Sequence, residues 1–244
     1  MTTPPSNPPI HSPTSPSSGT APHGGPPPGE VPLILIGGGG HSLVVMEAAA
    51  LAGMRIDGFL DDNPAAPVSA ILIDLPHPFP SPRHLGNLEE VHRTHGRHWI
   101  VAIGDVTVRR KLLRLLLAAP DLAPMPRSVV HPTAFVSPSA VVGPGTYIGP
   151  RAVVHARARI GAHCIINSGA VIEHDCAVGE NTHIAPGAVL GGSVKVGHDA
   201  LIGLGCRILP GLSVGHRATV GAGAVVTKPV ADHTTVTGVP AQVS

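Results

Sequence analysis

A six-residue period runs through the second half of the chain and constrains its fold more than any other feature. From Val129 to Val230 the sequence divides into seventeen hexapeptides without an insertion, from VVHPTA to VVTKPV. The second place is always Val, Ile or Leu, and the sixth place is mostly Ala. Such a unit has room for one short strand and one corner, so successive units wind around an axis and stack their strands about 4.8 Å apart. The period therefore predicts a parallel β-helix whose second-place side chains fill the interior.

Glycine recurs at the third place of the hexapeptides. It occupies that place in nine of the seventeen units, where 30 glycines in 244 residues would put about two by chance. Glycine tolerates a tight corner where a Cβ atom would clash. We therefore expect most of these glycines to be structural and few of them to lie near a ligand.

Composition excludes several functional classes. The formal net charge is +1, which offers no basic patch for nucleic acid. No apolar run approaches the roughly 20 residues that a membrane span needs. The three cysteines, Cys164, Cys176 and Cys206, all take the sixth place of a hexapeptide. They are predicted to be small buried hydrophobic residues, neither a disulfide nor a metal set, and they favour a reducing cytoplasm.

Two further regions precede the β-helix, which is assigned to residues 127–244. Residues 1–30 contain ten prolines, so a disordered tail is expected there, without the apolar segment of a secretory signal. Residues 31–126 are predicted to form a Rossmann-like α/β domain with a parallel sheet. Its predicted elements are strand Leu33–Ile36, helix Ser42–Ala52, strand Arg55–Leu60, a helix near Leu88–His95, strand Trp99–Ile103 and helix Thr107–Ala118, which Asp105 caps.

A glycine turn joins the first strand of this domain to its first helix. Backbone N–H groups of Gly38, Gly39 and Gly40, followed by His41, would lie at the helix N-terminus, where an anionic phosphate binds well. Asp61 and Asp62 follow the next strand, where such folds place carboxylates that bind a ribose or a base. The run is not a full G-x-G-x-x-G and lacks a Walker lysine. A tight turn without a ligand is therefore the alternative.

The eighth hexapeptide, VIEHDC, interrupts the apolar pattern with a charged corner. His174 and Asp175 take the fourth and fifth places, outside the inward column, so a substrate can reach them. A neutral imidazole accepts a proton at physiological pH, and a neighbouring carboxylate fixes its tautomer. His183 follows nine residues later and is expected to face the same cleft. No pair of histidines here has a recognisable metal-ligand spacing, so no metal is predicted.

The combined motifs resemble a known family over residues 32–244. LILIGGGGH, FLDD, AIGD, NSGAVIEHDCAVGENTHIAPGAVLGG and VTGVPA occur in this order. They resemble the bacterial sialic acid O-acetyltransferases and nucleotide-amino-sugar N-acetyltransferases, whose hexapeptides form a left-handed β-helix. The resemblance implies a homotrimer with acetyl-CoA between neighbouring prisms.

Residue roles are also implied by the resemblance. His174 matches the family's general base, and Asp175 matches the acid that orients it, which is often Glu. The nucleotide of the sugar would sit on the glycine loop, which often reads G-H-G-K and here reads Gly40-His41-Ser42-Leu43. Asn167 and His183 match polar positions lining the site, and the Gly192 N–H is placed for the thioester oxygen. His183, Gly192, Gly203 and Gly221 are expected beside the cofactor.

These observations predict an acetyltransferase that moves an acetyl group from acetyl-CoA to an amine or hydroxyl of a sugar or nucleotide-linked sugar, in surface-polysaccharide or glycan synthesis. Three alternatives stay open. One is a sialic-acid-type O-acetyltransferase, and another is a non-catalytic β-helix scaffold that does not bind acetyl-CoA. The last is a zinc lyase of the carbonic-anhydrase type, with histidines from two chains on the metal.

Overall fold

A four-stranded parallel sheet with flanking helices forms the N-terminal part of the protein. The computed structural model describes residues 31–70, 82–118 and 126–244, so the predicted tail of residues 1–30 lies outside the described residues. The elements are β1 (Leu33–Ile36), α1 (Gly40–Leu51), β2 (Ile56–Leu60), α2 (Pro67–Ala70), β3 (Arg83–Gly86), a 3-10 helix (Val91–Thr94), β4 (His98–Val101) and α3 (Val106–Ala118). The strand order is β3-β2-β1-β4, and every neighbouring pair is parallel.

The predicted parallel α/β sheet is confirmed, with local differences. Asp105 caps α3 as predicted, since its Oδ1 accepts the N–H groups of Thr107 and Val108 at 2.8 Å each. The helix expected near residues 88–95 is wrong in type, because only a single 3-10 turn forms there. Strand β3 was not predicted, since its sequence RHLG lacks the apolar run of a buried strand and it lies at a sheet edge.

Every hexapeptide contributes one two-residue strand, formed by its first and second places, which confirms the predicted β-helix. These strands are β5 (Val129–Val130), β6 (Phe135–Val136), β7 (Val141–Val142), β8 (Tyr147–Ile148), β9 (Val153–Val154), β10 (Arg159–Ile160), β11 (Ile165–Ile166), β12 (Val171–Ile172), β13 (Ala177–Val178), β14 (His183–Ile184), β15 (Val189–Leu190), β16 (Lys195–Val196), β17 (Leu201–Ile202), β18 (Arg207–Ile208), β19 (Ser213–Val214), β20 (Thr219–Val220) and β21 (Val225–Val226). Two more, β22 (Thr235–Thr237) and β23 (Gln242–Val243), end the coil.

The strands form three parallel faces of a prism. Three hexapeptides close one coil, so residues 18 positions apart are neighbours, as Ile165 and His183 are. The docking face consists of β5, β8, β11, β14, β17, β20, β22 and β23, the apolar face of β6, β9, β12, β15, β18 and β21, and the basic face of β7, β10, β13, β16 and β19. First-place side chains lie on the outside of each face, and second-place side chains fill the core.

Glycine at the third place is explained by the close stacking of the coils. A Cβ atom on Gly179 would lie 2.5 Å from the backbone nitrogen of His198, and one on Gly197 would lie 2.6 Å from that of His216. Larger residues there would push neighbouring coils apart. The three cysteines are free and buried at the sixth places, as predicted.

The N-terminal sheet and helices pack against the docking face. Helix α1 contributes Val45 and Met46 to an apolar cluster that includes Tyr147 and Ile165. Trp99 stacks on the ring of His163 with 5.7 Å between ring centroids and 3° between ring planes. The predicted boundary between residues 126 and 127 stays a prediction.

Candidate active site

The predicted His174–Asp175 pair lies on the corner between the apolar and the basic face, between β12 and β13. His174 Nδ1 is 2.8 Å from Asp175 Oδ2. Asp175 has φ of 61°, a left-handed conformation that asparagine and aspartate adopt more readily than most residues. His174 keeps 57% of its side-chain surface exposed. The corner therefore presents an imidazole whose second nitrogen can face a substrate.

Arg157, one coil below, fixes the carboxylate of Asp175. Its Nε and Nη2 donate to the two carboxylate oxygens at 2.6 and 2.7 Å. These bonds, followed by the one to His174, hold the pKa of Asp175 well below its usual range. An ionised carboxylate only accepts hydrogen bonds. His174 Nδ1 must therefore carry the hydrogen, which leaves the lone pair of Nε2 free to take a proton.

Gly192 makes room for this imidazole in the coil above. A Cβ atom on Gly192 would lie 2.7 Å from His174 Nε2 and 2.8 Å from Cε1. In the described part of the chain, the Gly192 N–H donates to no backbone or side-chain acceptor. The glycine thus leaves both Nε2 and a free N–H group beside the same corner.

A second histidine–aspartate pair occupies the same two places of another hexapeptide, KVGHDA. His198 Nδ1 is 2.6 Å from Asp199 Oδ2, and Asp199 has φ of 60°. Its surroundings differ, because Arg110 of α3 forms an ion pair with Asp199 at 2.5 Å. This pair lies on the corner between the basic and the docking face and ties the coil to α3.

A polar cluster forms where the docking face contacts α1 and Gly104. His183 Nδ1 is 3.1 Å from the carbonyl oxygen of Gly104, and His183 Nε2 is 3.2 Å from Asn167 Nδ2. A carbonyl only accepts, so Nδ1 carries the hydrogen and Nε2 accepts from Asn167. The His41 ring lies 6.4 Å from that of His183 and 5.3 Å, edge to face, from that of Tyr147. The structure thus brings His41, Asn167 and His183 together.

Packing does not explain the glycines that begin α1. A Cβ atom on Gly39 or Gly40 would meet nothing within 4 Å, and both residues are exposed. By contrast, a Cβ atom on Gly38 would lie 2.6 Å from Cβ of Ala66. Gly39 is the N-cap of α1 and has no side chain to cap it. The first turn of the helix is therefore open to an anionic group.

Asp61 and Asp62 both bind loop backbone. Asp61 Oδ2 accepts the Gly38 N–H at 2.7 Å, and its Oδ1 accepts the Asn63 N–H at 2.9 Å. Asp62 Oδ1 accepts the Leu88 N–H at 3.0 Å. These carboxylates shape the loops around the glycine turn. A direct contact with a nucleotide stays a prediction.

Gly203 and Gly221 lie on the corner between the docking and the apolar face. A Cβ atom on Gly203 would lie 2.6 Å from the carbonyl oxygen of Val220, and one on Gly221 would lie 2.7 Å from Cγ2 of Thr237. Close packing between coils thus explains both glycines. Their predicted place beside a cofactor stays a prediction.

The expected shared cleft of His174 and His183 does not form within one chain. One coil has 18 residues, as the pairing of Ile165 with His183 shows, so the separation of nine positions between the two histidines is half a coil. His174 occupies the corner opposite the docking face, on which His183 lies. A spacing that is short in sequence therefore puts the two side chains on opposite sides of the prism.

Three buried histidines at the junction predict loss of stability in acid. Burial chiefly, and the charge of Arg109 in addition, lower the pKa of His41, His163 and His183 to about 4. The unfolded chain binds protons near pH 6.5 and the folded chain does not, so the free energy of unfolding should fall between pH 6.5 and about 4. Urea unfolding at several pH values measures this. His163→Phe keeps an aromatic ring beside Trp99 and should weaken the pH dependence; an unchanged slope would contradict the assignment.

Comparisons with known proteins agree with this geometry. Residues 32–116 match the PglD N-terminal domain, residues 157–192 match the bacterial transferase hexapeptide (six repeats), and residues 193–228 match the hexapeptide repeat of succinyl-transferase. A search of curated protein sequences finds no match.

Solved structures give the decisive likeness. Perosamine N-acetyltransferase from Caulobacter crescentus, solved with CoA and GDP-perosamine, is 32% identical over 87% of this chain and 96% of its own, with a TM-score of 0.76. The acetyltransferase domain of PglB from Neisseria gonorrhoeae, solved with acetyl coenzyme A, is 32% identical over 88% of this chain and 100% of its own, with a TM-score of 0.77. The chain belongs to this left-handed β-helix family of sugar N-acetyltransferases. WeeI from Acinetobacter baumannii is 26% identical over 87% of this chain and 99% of its own, with a TM-score of 0.72.

Membership in the acetyltransferase family confirms the predicted fold class, the left-handed coil and the acetyltransferase activity. Among the described residues, no helix is long and apolar enough to span a membrane. The same residues contain no group of three or more His, Cys, Asp or Glu side chains arranged to hold a metal ion. The roles of the individual site residues stay predictions.

Sequence reasoning missed Arg157, Arg109 and Tyr147. The six-residue period could have identified Arg157 as a partner of Asp175, because it takes the fifth place of its hexapeptide, 18 residues before Asp175, and therefore lies directly below it. No sequence pattern indicates the contact of Arg109, because the coil residue that it contacts, Asn181, is 72 positions away.

Proposed function

We propose that this acetyltransferase moves the acetyl group of acetyl-CoA to an amine on a nucleotide-linked sugar. The observation that carries the proposal is the His174–Asp175 pair, with an exposed imidazole, a buttressed carboxylate and a free Gly192 N–H at one corner. The Caulobacter relative binds CoA and GDP-perosamine, which is an amino sugar on a nucleotide. A nucleoside diphosphate would bind at the open first turn of α1, beside Gly39, Gly40 and His41.

The proposed reaction proceeds by direct transfer. The acceptor amine attacks the thioester carbonyl carbon, and His174 Nε2 removes the proton from the nitrogen as the C–N bond forms. Asp175 holds the tautomer and stabilises the imidazolium. The Gly192 N–H stabilises the oxyanion of the tetrahedral intermediate. When the C–S bond breaks, the CoA thiolate leaves and takes the proton from His174.

The basic face offers a place for the phosphates of the donor. A groove of about 620 Å³ runs along it, lined by Arg159 and Lys195 among others. These two cations lie in the coils directly below and above Ala177, which follows His174 in its own coil. Positive charges beside the catalytic corner suit the phosphate groups of CoA, with the thioester directed toward His174.

We also propose a homotrimer, because the apolar face stays partly exposed among the described residues, 31–70, 82–118 and 126–244. Its outward first-place residues are Phe135, Val153, Val171, Val189, Arg207 and Val225, and Phe135 is 52% exposed. Five of these six residues are apolar and Arg207 is the exception. A largely apolar strip of this kind marks a protein interface. Because His174 and the His41–Asn167–His183 cluster lie on opposite sides of one prism, a second copy completes the site.

The test combines turnover and mass. UDP-, GDP- and CMP-linked amino sugars are offered with acetyl-CoA, and free thiol release is measured together with the acetylated product. We expect one of these nucleotide classes to react and to yield an amide. Light scattering should give three times the chain mass of 24.8 kDa. No thiol release with any acceptor would contradict the proposal, and a monomer with full activity would contradict the shared site.

Product chemistry separates the O-acetyltransferase alternative, since an ester reacts with hydroxylamine and an amide does not. We further propose a cytoplasmic location, supported by three free, buried cysteines, since disulfides form and persist in oxidising compartments. Metal analysis of the purified protein distinguishes a zinc lyase.

A further inference from the structure

A fully buried guanidinium lies between α3 and the coil. Arg109 is 1% exposed. Its Nε and Nη2 donate to the side-chain and main-chain oxygens of Asn181 at 2.6 and 2.8 Å, and its Nη1 donates to the carbonyls of Ile103 and Gly104 at 2.9 and 3.2 Å. All four acceptors are neutral, and none of the ion pairs among the described residues includes Arg109.

Stability alone does not explain such a residue. Burying a cation without a carboxylate partner costs free energy, and well-packed apolar side chains replace buried charges without loss in many proteins. The neighbouring Arg110 ties the same helix to the coil through Asp199 at lower cost, since its side chain is 19% exposed and has a carboxylate partner. Arg109 therefore calls for a role beyond attachment of α3.

The contacts of Arg109 lead directly to the polar cluster on the docking face. The Gly104 carbonyl accepts both Arg109 Nη1 and His183 Nδ1, at 3.2 and 3.1 Å. His183 Nε2 in turn accepts from Asn167. The guanidinium fixes the carbonyl, the carbonyl fixes the tautomer and ring of His183, and the ring fixes the Asn167 carboxamide.

The same guanidinium supplies positive charge to the junction. It adds to burial in lowering the pKa of His183 and His41 to about 4, which keeps Nε2 of His183 unprotonated and able to accept. Other charged or titratable groups also interact electrostatically with this junction, from α1, from the cap of α3 and from the coil. They are Glu47, Asp105, Tyr147, His163, Cys164 and Asp199.

We propose that Arg109 is a positioning residue for the acceptor sugar: through the Gly104 carbonyl it holds His183 and Asn167 in the arrangement that binds the acceptor. The inference rests on the proposed function, which places the nucleotide of the acceptor beside His41. It assigns His183 to the acceptor side of the site and not to the cofactor side that the sequence predicted. In this proposal Arg109 makes two contributions to the arrangement of His183 and Asn167: the fixed geometry of its hydrogen bonds and its positive charge.

Two substitutions separate these contributions. Arg109→Met keeps the length of the side chain but removes both the donors and the charge. Arg109→Lys keeps the charge but cannot reach Asn181 and both carbonyls at once. Arg110→Met is the matched control, since it removes the neighbouring tie between α3 and the coil without touching the Gly104 carbonyl.

We expect both Arg109 variants to raise KM for the nucleotide sugar about tenfold or more, because misplaced binding groups lose orientation, with KM for acetyl-CoA nearly unchanged. Only Arg109→Met should also raise the pKa of His183, since the charge that helps to lower it is gone. Arg110→Met should change neither quantity. A folded Arg109→Met with a wild-type KM for the nucleotide sugar would overturn the inference, as would equal effects in Arg110→Met.

A direct titration keeps the inference testable apart from turnover. NMR of labelled histidine should show His183 and His41 titrating at higher pH in Arg109→Met than in the wild type and in Arg109→Lys. If the wild type acetylates no nucleotide sugar, the proposed function fails, and this titration still judges the link between Arg109 and His183. If Arg109→Met does not fold, Arg109→Lys must raise the acceptor KM and Asn181→Ser must do the same; unchanged KM in both would refute the inference.

Discussion

Replacing His174 with alanine is expected to lower kcat about 10²- to 10⁴-fold, the range typical of a lost general base. The physical reason is the fixed tautomer: Asp175, held by Arg157, accepts a hydrogen bond from the Nδ1–H group and leaves Nε2 as the proton acceptor. The side chain is exposed on a corner and lies outside the coil core. KM values and the melting temperature should therefore change little. Steady-state kinetics with both substrates and thermal unfolding measure these effects.

The chain contains a matched control for this substitution. His198 takes the same hexapeptide place, and its Nδ1 is 2.6 Å from Asp199 Oδ2. It lies on a different corner, where Asp199 binds Arg110. His198→Ala should keep kcat within about twofold of the wild type if catalysis depends on the corner and not on the pair of residue types. Near-normal kcat in His174→Ala, or equal losses in both variants, would remove His174 from the mechanism.

The contrast between these two pairs shows how far the sequence predicts the site. The six-residue period determines the strands, because a second-place aliphatic residue every six positions has one way to be buried. It also determines which residues stack, since 18 positions make one coil, and Arg157 could have been assigned to Asp175 on that basis. The letters HD in VIEHDC and KVGHDA are identical, so the residue types alone do not distinguish the two pairs. The structural difference between them lies in the faces that meet at each corner.

The contacts between the N-terminal part and the coil could not be predicted from the period. Arg109 meets Asn181 across 72 positions, and Gly104 meets His183 across 79. Such contacts follow from how helix α3 packs on the docking face, which no local pattern encodes. Within one chain His174 and His183 lie on opposite sides of the prism, because nine positions are half a coil. A cleft that they share between two copies stays a prediction.

Replacing Asp175 with asparagine should lower kcat about 10²-fold or more, by changing the tautomer of His174 and not its position. An asparagine side chain can donate to Nδ1, which would place the hydrogen on Nε2 and leave no proton acceptor facing the substrate. Arg157→Met should lower kcat less than Asp175→Asn does, because Asp175 stays ionised near neutral pH. Asp199→Asn is the matched control and should leave kcat unchanged. Full kcat in Asp175→Asn, with both KM values unaltered, would show that the carboxylate does not set the tautomer of the base.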